Sequence, residues 1–176
     1  MKATSRSGTM SRLFPLVLVV LVAGGCGAKT AQDHFREGEQ LVTAGKLDEA
    51  IAAYQAGLEL EPGSAMGYNL LGMAYRLKYN AFRSSEWKQK EIAAFERAEL
   101  ADSTFWPAYI NLGATLYYMG NPEGAASHFR RALVLYPQNP EREQLEAMIR
   151  EGSGQPPPDS ESAAPDSAGG EPDSQD

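Results

Sequence analysis

The stretch "YINLGATLYYMGNPEGAASHFRRALVLYP", Tyr109–Pro137, decides the fold, because an earlier stretch of the chain follows the same pattern. The earlier stretch, "HFREGEQLVTAGKLDEAIAAYQAGLELEP", is His34–Pro62 and also contains 29 residues. Small, aromatic and proline residues recur at equal spacings in the two stretches, which indicates an internal repeat. The matching pairs are Gly38 and Gly113, Gly45 and Gly120, Ala50 and Ala125, Tyr54 and Phe129, Leu58 and Leu133, and Pro62 and Pro137.

Each copy of this pattern predicts two helices joined by a short turn. Apolar residues follow helical spacing, as at Ile51, Tyr54 and Leu58, and this periodicity is typical of an amphipathic helix. Pro62 and Pro137 predict where the second helices end, because proline lacks the backbone donor and clashes with the preceding turn. One helix pair cannot bury its own apolar face, so about three stacked copies are needed.

The pattern resembles the tetratricopeptide repeat, a helix-turn-helix unit with a period of about 34 residues. On this resemblance, repeat 1 spans residues 31–64 and repeat 3 spans residues 106–139. The stretch "YNLLGMAY" opens repeat 2, residues 65–105, which exceeds the period by seven residues. We therefore place a seven-residue insertion within residues 78–89, between the two helices of repeat 2.

Repeat 2 departs from the family pattern at two further positions, where Glu91 replaces a small residue and Ser103 replaces proline. After repeat 3, residues 140–151 predict a capping helix that begins at a proline, with Asn139 as its N-cap and Gly152 as its stop. The predicted fold class is all-α: a short solenoid of three helix-turn-helix repeats plus a C-terminal capping helix.

The N-terminal segment, residues 1–25, has a basic start followed by a short apolar run. This run is shorter than the 20 or so residues that span a bilayer, and the pattern is typical of a secretory signal peptide rather than of a short buried helix. The stretch "VAGGC" resembles the lipobox of bacterial lipoproteins, which implies that Cys26 is lipidated and becomes the first mature residue. An ordinary signal peptide cut nearby is the alternative. Residues 26–30 would then be a short membrane-proximal linker.

Charge is uneven along the chain. Residues 1–25 carry three basic residues and no acid, whereas residues 152–176 carry six acids and no base. A mildly acidic body with an acidic tail lacks the basic face that nucleic-acid binding needs, so we expect no nucleic-acid partner. The tail is rich in Pro, Ser and Gly and is expected to be disordered. It would keep the protein soluble or contact basic partners.

The sequence shows no catalytic constellation, metal site or cofactor site. There is no glycine-rich phosphate loop, zinc motif or nucleophile beside a histidine, and the two histidines, His34 and His128, are far apart. We therefore expect a binding protein without cofactor or small-molecule substrate rather than an enzyme. An enzyme with an unrecognised site is a third class.

In the tetratricopeptide family the first helices of the repeats line a concave groove that binds a protein or peptide. The resemblance implies an adaptable groove here, rich in methionine and aromatic residues. The alternative is that several of these residues pack against neighbouring helices or the capping helix. The predicted groove residues are Phe35, Met66, Asn69, Met73, Arg76, Leu77, Ile110, Tyr117 and Tyr118.

Two special surfaces of the family can be weighed against this sequence. Chaperone-binding members hold a carboxylate with a clamp of Lys, Asn and Arg. We expect no clamp, because the corresponding residues are Phe35, Glu39, Leu70, Pro107 and Asn111, of which only Asn111 is suitable.

The stretch "RLKYNAFRSSEWKQK", Arg76–Lys90, spans the insertion. It would form either a basic, aromatic docking patch or a helix extension with its aromatics buried at the tip.

These observations together predict a lipid-anchored scaffold in a bacterial cell envelope, with the outer membrane favoured because Gly27 rather than aspartate follows Cys26. It would bind a protein partner in envelope assembly, for example in pilus or secretion complex biogenesis. The alternative is an adaptor that regulates envelope enzymes, such as those that remodel peptidoglycan.

Overall fold

A computed structural model describes residues 27–155, and within them the chain forms seven α-helices and no β-strand. The predicted signal peptide, Cys26 and most of the acidic tail lie outside the described residues. None of the helices in residues 27–155 is long and apolar enough to cross a membrane. The helices are α1 (Ala31–Thr43), α2 (Leu47–Leu60), α3 (Ala65–Phe82), α4 (Ser85–Ala101), α5 (Trp106–Tyr118), α6 (Pro122–Leu135) and α7 (Arg142–Gly152).

The helices pair in sequence, α1 with α2, α3 with α4 and α5 with α6, and α7 packs on α6. The first helices of successive pairs also contact one another, α1 with α3 and α3 with α5. Clefts of about 620 Å³ and 570 Å³ lie instead between α2 and α4 and between α4 and α6. In a curved stack of helices, neighbours approach most closely in the inner layer. The helices α1, α3 and α5 therefore form the inner surface, which we call the first-helix face. This architecture confirms the all-α fold of three helix pairs and a capping helix.

Each pair closes through an aromatic ring of its second helix that lies on a glycine of its first helix. In the second pair, a methyl group at Gly72 would stand 2.6 Å from Cε1 of Phe95, well inside the optimal carbon–carbon separation of about 3.5–4.0 Å. Phe95 is fully buried, so the small residue is what lets the two helices approach. The three contacts join Gly38 with Tyr54, Gly72 with Phe95, and Gly113 with Phe129.

The insertion lengthens both helices of the second pair. α3 has 18 residues where α1 and α5 have 13, and α4 has 17 where α2 and α6 have 14. The turn between α3 and α4 contains only Arg83 and Ser84, one residue fewer than the turn between α1 and α2. α3 gains five residues, α4 gains three and the turn loses one, and these changes together account for the seven inserted residues.

The aromatic residues of the insertion divide between the core and the surface. Trp87 stacks on Tyr75, with ring centroids 5.9 Å apart, at the edge of the core of the first two pairs. Lys78 is buried beside them, with Nζ 2.7 Å from an Asp48 oxygen of α2. Phe82 is 64% exposed. Burial of the aromatics at the tip, one of the two sequence-based alternatives, is therefore wrong for Phe82.

The capping helix α7 covers the open end of the third pair but begins at Arg142 rather than at Pro140. The side-chain oxygen of Asn139 accepts a hydrogen bond from the backbone N–H of Glu141, which holds the chain in a turn before the helix. Leu145 is buried against the core of the third pair. Gly152 is the last helical residue and lies against the backbone of Pro122, so the end of α7 is close to the start of α6.

We expect Gly72→Ala to lower the free energy of unfolding by about 1–2 kcal/mol. Overpacking against Phe95 costs about 1–3 kcal/mol, and alanine recovers at most about 1 kcal/mol of helix propensity. Urea unfolding followed by helical circular dichroism measures the change. The control is Gly63→Ala in the α2–α3 turn, where no atom lies within 4 Å of the added carbon; equal effects of the two variants would contradict the packing argument.

Candidate functional site

An exposed apolar stripe follows α3 on the first-helix face. Met66, Met73 and Leu77 are 39%, 44% and 39% exposed, and spacings of seven and four residues place them along one side of the helix. The opposite side of α3 is core, with Leu71 and Tyr75 buried. Methionine and leucine side chains aligned on an exposed helix face form an adaptable contact surface of the kind that partner helices and peptides use.

The predicted groove residues on α5 divide between this surface and the capping helix. Tyr118 is exposed and extends the first-helix face. Ile110 and Tyr117 pack against the core that includes Leu145 of α7. Tyr117 also donates a hydrogen bond to the Glu151 carboxylate of α7, and this bond raises the pKa of Tyr117. Ile110 and Tyr117 therefore follow the alternative in which groove positions pack against the capping helix.

Phe35 is not part of an accessible groove, which corrects the sequence-based prediction. It is 1% exposed, and its ring fills the space that two glycines leave on the neighbouring helices, Gly57 of α2 and Gly67 of α3. A ring in that position joins α1 to both helices and cannot contact a partner.

Asn69 is also withdrawn from solvent and needs the same correction, since it is 7% exposed. Its side-chain oxygen accepts a hydrogen bond of 2.9 Å from the side-chain amide of Asn111. Because the two residues lie on α3 and α5, this bond joins adjacent first helices. Asn69 therefore positions Asn111 instead of serving as a polar anchor for a partner.

Arg76 uses most of its donors inside the protein. Its Nε donates to Oε1 of Glu91 at 2.7 Å. Its terminal nitrogens donate to Asn111 and Thr115 of α5 at 2.9–3.0 Å. The guanidinium also lies 4.9 Å from the ring centroid of Phe95. The predicted polar anchor is thus a structural link between the second and third pairs, with 29% of its side chain exposed.

Glu91 is fully buried, and both of its carboxylate oxygens accept hydrogen bonds. Oε1 accepts from Arg76 and from Thr115 at 2.7 Å, and Oε2 accepts from Nζ of Lys88 at 2.6 Å. Two cations therefore compensate one carboxylate that water cannot reach, which is the condition for burying such a charge. In the sequence, Glu91 stands out only as a departure from the family pattern. The sequence signal for its role is the basic residue three positions earlier, Lys88, together with Arg76 on the preceding helix.

A cleft of about 310 Å³ opens beside this network, between the C-terminal ends of α3 and α5 with α4 beneath it. We call it the basic cleft. Its α3 wall belongs to the part of the helix that the insertion lengthens. Nζ of Lys88 lies 4.0 Å from the ring centroid of Tyr79 in this wall. The lining residues are Arg76, Tyr79, Asn80, Arg83, Lys88, Glu91, Ala114, Thr115, Tyr118 and Met119.

Across residues 27–155 there is no group of three His, Cys, Asp or Glu side chains that could hold a metal ion. His128 of α6 lies instead with Nδ1 2.8 Å from an oxygen of Glu99 on α4. This contact joins the second and third pairs on the outer layer.

Comparison with known families and structures agrees with this geometry. Residues 106–139 match the family described as tetratricopeptide repeat, and residues 38–78 match the family described as TPR repeat. The described helices form a tetratricopeptide-repeat solenoid. The first TPR domain of Spaghetti (RPAP3), bound to an HSP90 peptide, is similar to the solenoid with a TM-score of 0.59, at 24% identity over 71% of this chain and 94% of that chain.

Further similar proteins share the solenoid at low sequence identity. MamA has a TM-score of 0.59 at 23% identity, covering 70% of this chain and 68% of that chain. The TPR2B domain of yeast Sti1 in complex with pHsp70 has a TM-score of 0.59 at 19% identity, covering 72% of this chain and 98% of that chain. Protein bimA of Emericella nidulans is 29% identical over 92 residues, which is 52% of this chain and 10% of the relative. The IFIT1 homolog B of Homo sapiens is 26% identical over 103 residues, 51% of this chain and 22% of the relative. The chain thus spans only a small part of these two relatives.

We expect Glu91→Gln to lower the free energy of unfolding by about 3 kcal/mol, because removing one partner of a buried ion pair leaves uncompensated charge. The control is Glu86→Gln on the same helix, which breaks an exposed ion pair with Lys90 and should cost no more than about 0.5 kcal/mol. Chemical unfolding of both variants distinguishes the two environments. Similar losses for both would show that the Glu91 network does not stabilise the solenoid.

Proposed function

We propose that this protein is a scaffold that binds a protein or peptide partner on its first-helix face. The observation that carries the proposal is the exposed stripe of Met66, Met73 and Leu77 on a helix whose other side is packed core. The RPAP3 domain, which has the same fold, is bound to an HSP90 peptide, and the Sti1 TPR2B domain forms a complex with pHsp70. The likeness to them extends to the fold, and this supports peptide binding as the general mode.

The chemistry of the face favours an apolar or amphipathic partner segment over a terminal carboxylate. Of the residues at the clamp positions, Phe35 is buried in the core. Asn111, the suitable one, already bonds to Asn69 and Arg76. An amphipathic helix or extended segment with apolar anchors would bury the methionine side chains, whose flexible shape accommodates different contacts.

We propose further that the scaffold is held at a bacterial membrane through lipidated Cys26 and acts in envelope assembly. The support is the lipobox-like stretch before Cys26 and the short distance to α1, which starts at Ala31. A stable lipid anchor takes more than one acyl chain, as bacterial lipoproteins carry. With only residues 27–30 between the anchor and the solenoid, the binding face would be close to the lipid surface.

The paired substitution Met73→Glu and Leu77→Glu should weaken partner binding, since both carboxylates would be desolvated against an apolar partner surface. We expect a loss of at least about tenfold in affinity, because burying even one unpaired charge costs more than 1.4 kcal/mol. Leu100→Glu is the control, because this residue is 86% exposed on α4, in the outer layer. Unchanged helicity with unchanged partner binding would remove the first-helix face as the site.

Photo-crosslinking from position 73 in intact cells identifies the partner, with the same crosslinker at position 100 as the background. Capture of a secretin or other outer-membrane channel supports a role in assembly. Capture of peptidoglycan hydrolases would replace assembly with the adaptor function.

Cys26→Ala should release the protein from the membrane fraction, because it removes the proposed acylation site. Fractionation with antibody detection measures this, and Ser153→Ala provides a matched substitution that is distant in sequence from Cys26. Membrane association that survives Cys26→Ala would refute the lipid anchor without bearing on the first-helix face.

A further inference from the structure

The basic cleft carries an excess of positive charge on a chain whose net charge is −7. Arg76, Arg83 and Lys88 line it, and Glu91 is its only acidic lining residue. Because Glu91 is fully buried and bonded to two of these cations, it does not neutralise the third. Among residues 27–155 no carboxylate forms an ion pair with Arg83. The cleft therefore presents uncompensated positive charge to solvent beside the rings of Tyr79 and Tyr118.

The backbone at Arg83 points to a role for its side chain. Arg83 ends α3 in the left-handed conformation, with φ 55° and ψ 24°, and it is the one non-glycine residue of the described chain with positive φ. This conformation costs a side-chain-bearing residue roughly 1–2 kcal/mol, whereas glycine adopts it freely. The corresponding turns of the first and third pairs use Gly45 and Gly120 with positive φ. An arginine in this position directs a cation over Tyr79, with Cζ 5.6 Å from the ring centroid.

The described chain ends next to this cleft. Tyr117 bonds to Glu151 near the end of α7, and its ring meets that of Tyr118 edge to face at 5.6 Å. Tyr118 is one wall of the cleft. The turn edge, where the pairs α1–α2, α3–α4 and α5–α6 have their turns, is thus also the edge from which residues 156–176 continue.

We propose that residues 156–176 of the same chain bind in the basic cleft. This segment carries six acidic residues, Asp159, Glu161, Asp166, Glu171, Asp173 and Asp176, and no basic one. Its 21 residues reach at most roughly 70 Å, ample for a cleft whose wall adjoins the end of α7. The tether holds the acidic segment at about millimolar effective concentration, so weak carboxylate–guanidinium contacts suffice for binding.

Occupation of the cleft by this segment has a consequence for the first-helix face. Tyr118 belongs both to the cleft and to the first-helix face, so the bound segment covers one end of the face. A partner that reaches this end must displace the segment, and high salt must favour the displacement. Binding of the segment in the cleft does not depend on which partner the first-helix face accepts.

Paramagnetic relaxation enhancement, observed by NMR on the backbone amides of the chain from residue 26 onward, tests the proposal. Cys26→Ser removes the chain's single cysteine, and Ser167→Cys then accepts a nitroxide label. We expect selective loss of amide signal at Arg83, Lys88 and Tyr118. The loss should disappear when ionic strength rises from about 0.01 M to about 1 M, since the Debye length falls from roughly 30 Å to roughly 3 Å.

Arg83→Gly is the deciding variant, because glycine suits the left-handed backbone and the fold is expected to retain its stability. It should reduce the ratio of bound to unbound segment roughly two- to fivefold, as expected for loss of one exposed ion pair. Lys46→Gln is the matched control, because it removes the same charge from the turn of the first pair, where Lys46 pairs with exposed Glu49. This control should leave the signal loss unchanged.

Three outcomes would overturn the proposal. One is signal loss that is absent or spread evenly over the surface, and another is loss that is equal in the Arg83→Gly and Lys46→Gln variants. The third is equal loss when the nitroxide and the observed amides are on different molecules, which would assign the segment to a second copy. If the labelled segment is inert and an added glutamate octapeptide shifts the amides of the cleft, the site belongs to an acidic partner and not to this chain.

Discussion

The burial of one carboxylate, that of Glu91, constrains much of the molecule. Water cannot reach it, so cations and hydroxyl donors must compensate its charge, and they come from three helices: Arg76 of α3, Lys88 of α4 and Thr115 of α5. The second pair cannot shift against the third without breaking these bonds. The same demand withdraws Arg76 from the first-helix face, which leaves that face largely apolar.

The overall fold was predictable because its determinants are local and repeated. Glycine in the first helix and an aromatic residue in the second recur at a fixed spacing, and this spacing is what lets each pair close. The length of repeat 2 located the insertion for the same reason, since the flanking motifs remain in register. Ser64 is the N-cap of α3, and its side-chain oxygen accepts a hydrogen bond from the backbone N–H of Gly67, again a contact between near neighbours in sequence.

The details of the site were less predictable, because they depend on residues distant in sequence. Numbering positions within a repeat treats Phe35 and Ile110 as equivalents, yet Phe35 is buried because Gly57 and Gly67 on two other helices make room for it. The sequence predicts a partner contact for Asn69, whereas its side chain bonds to Asn111, 42 residues away. The helix α7 begins at Arg142, two residues later than predicted, because the side chain of Asn139 accepts a hydrogen bond from the N–H of Glu141 in a turn. The role of Cys26 lies outside the described residues and stays a prediction.

The insertion also makes the second helix pair extend farther along the helix axes than the first pair. The chain enters α1 at one edge, and the pair turns lie at the other, about 20 Å away for a helix of 13 residues. α3, with 18 residues, extends to about 27 Å. An anchor at Cys26 would place the entry edge on the bilayer and make the tip of the second pair the point farthest from it. The cations at this tip would then face the aqueous compartment, beyond the reach of anionic headgroups that would otherwise attract them within a Debye length.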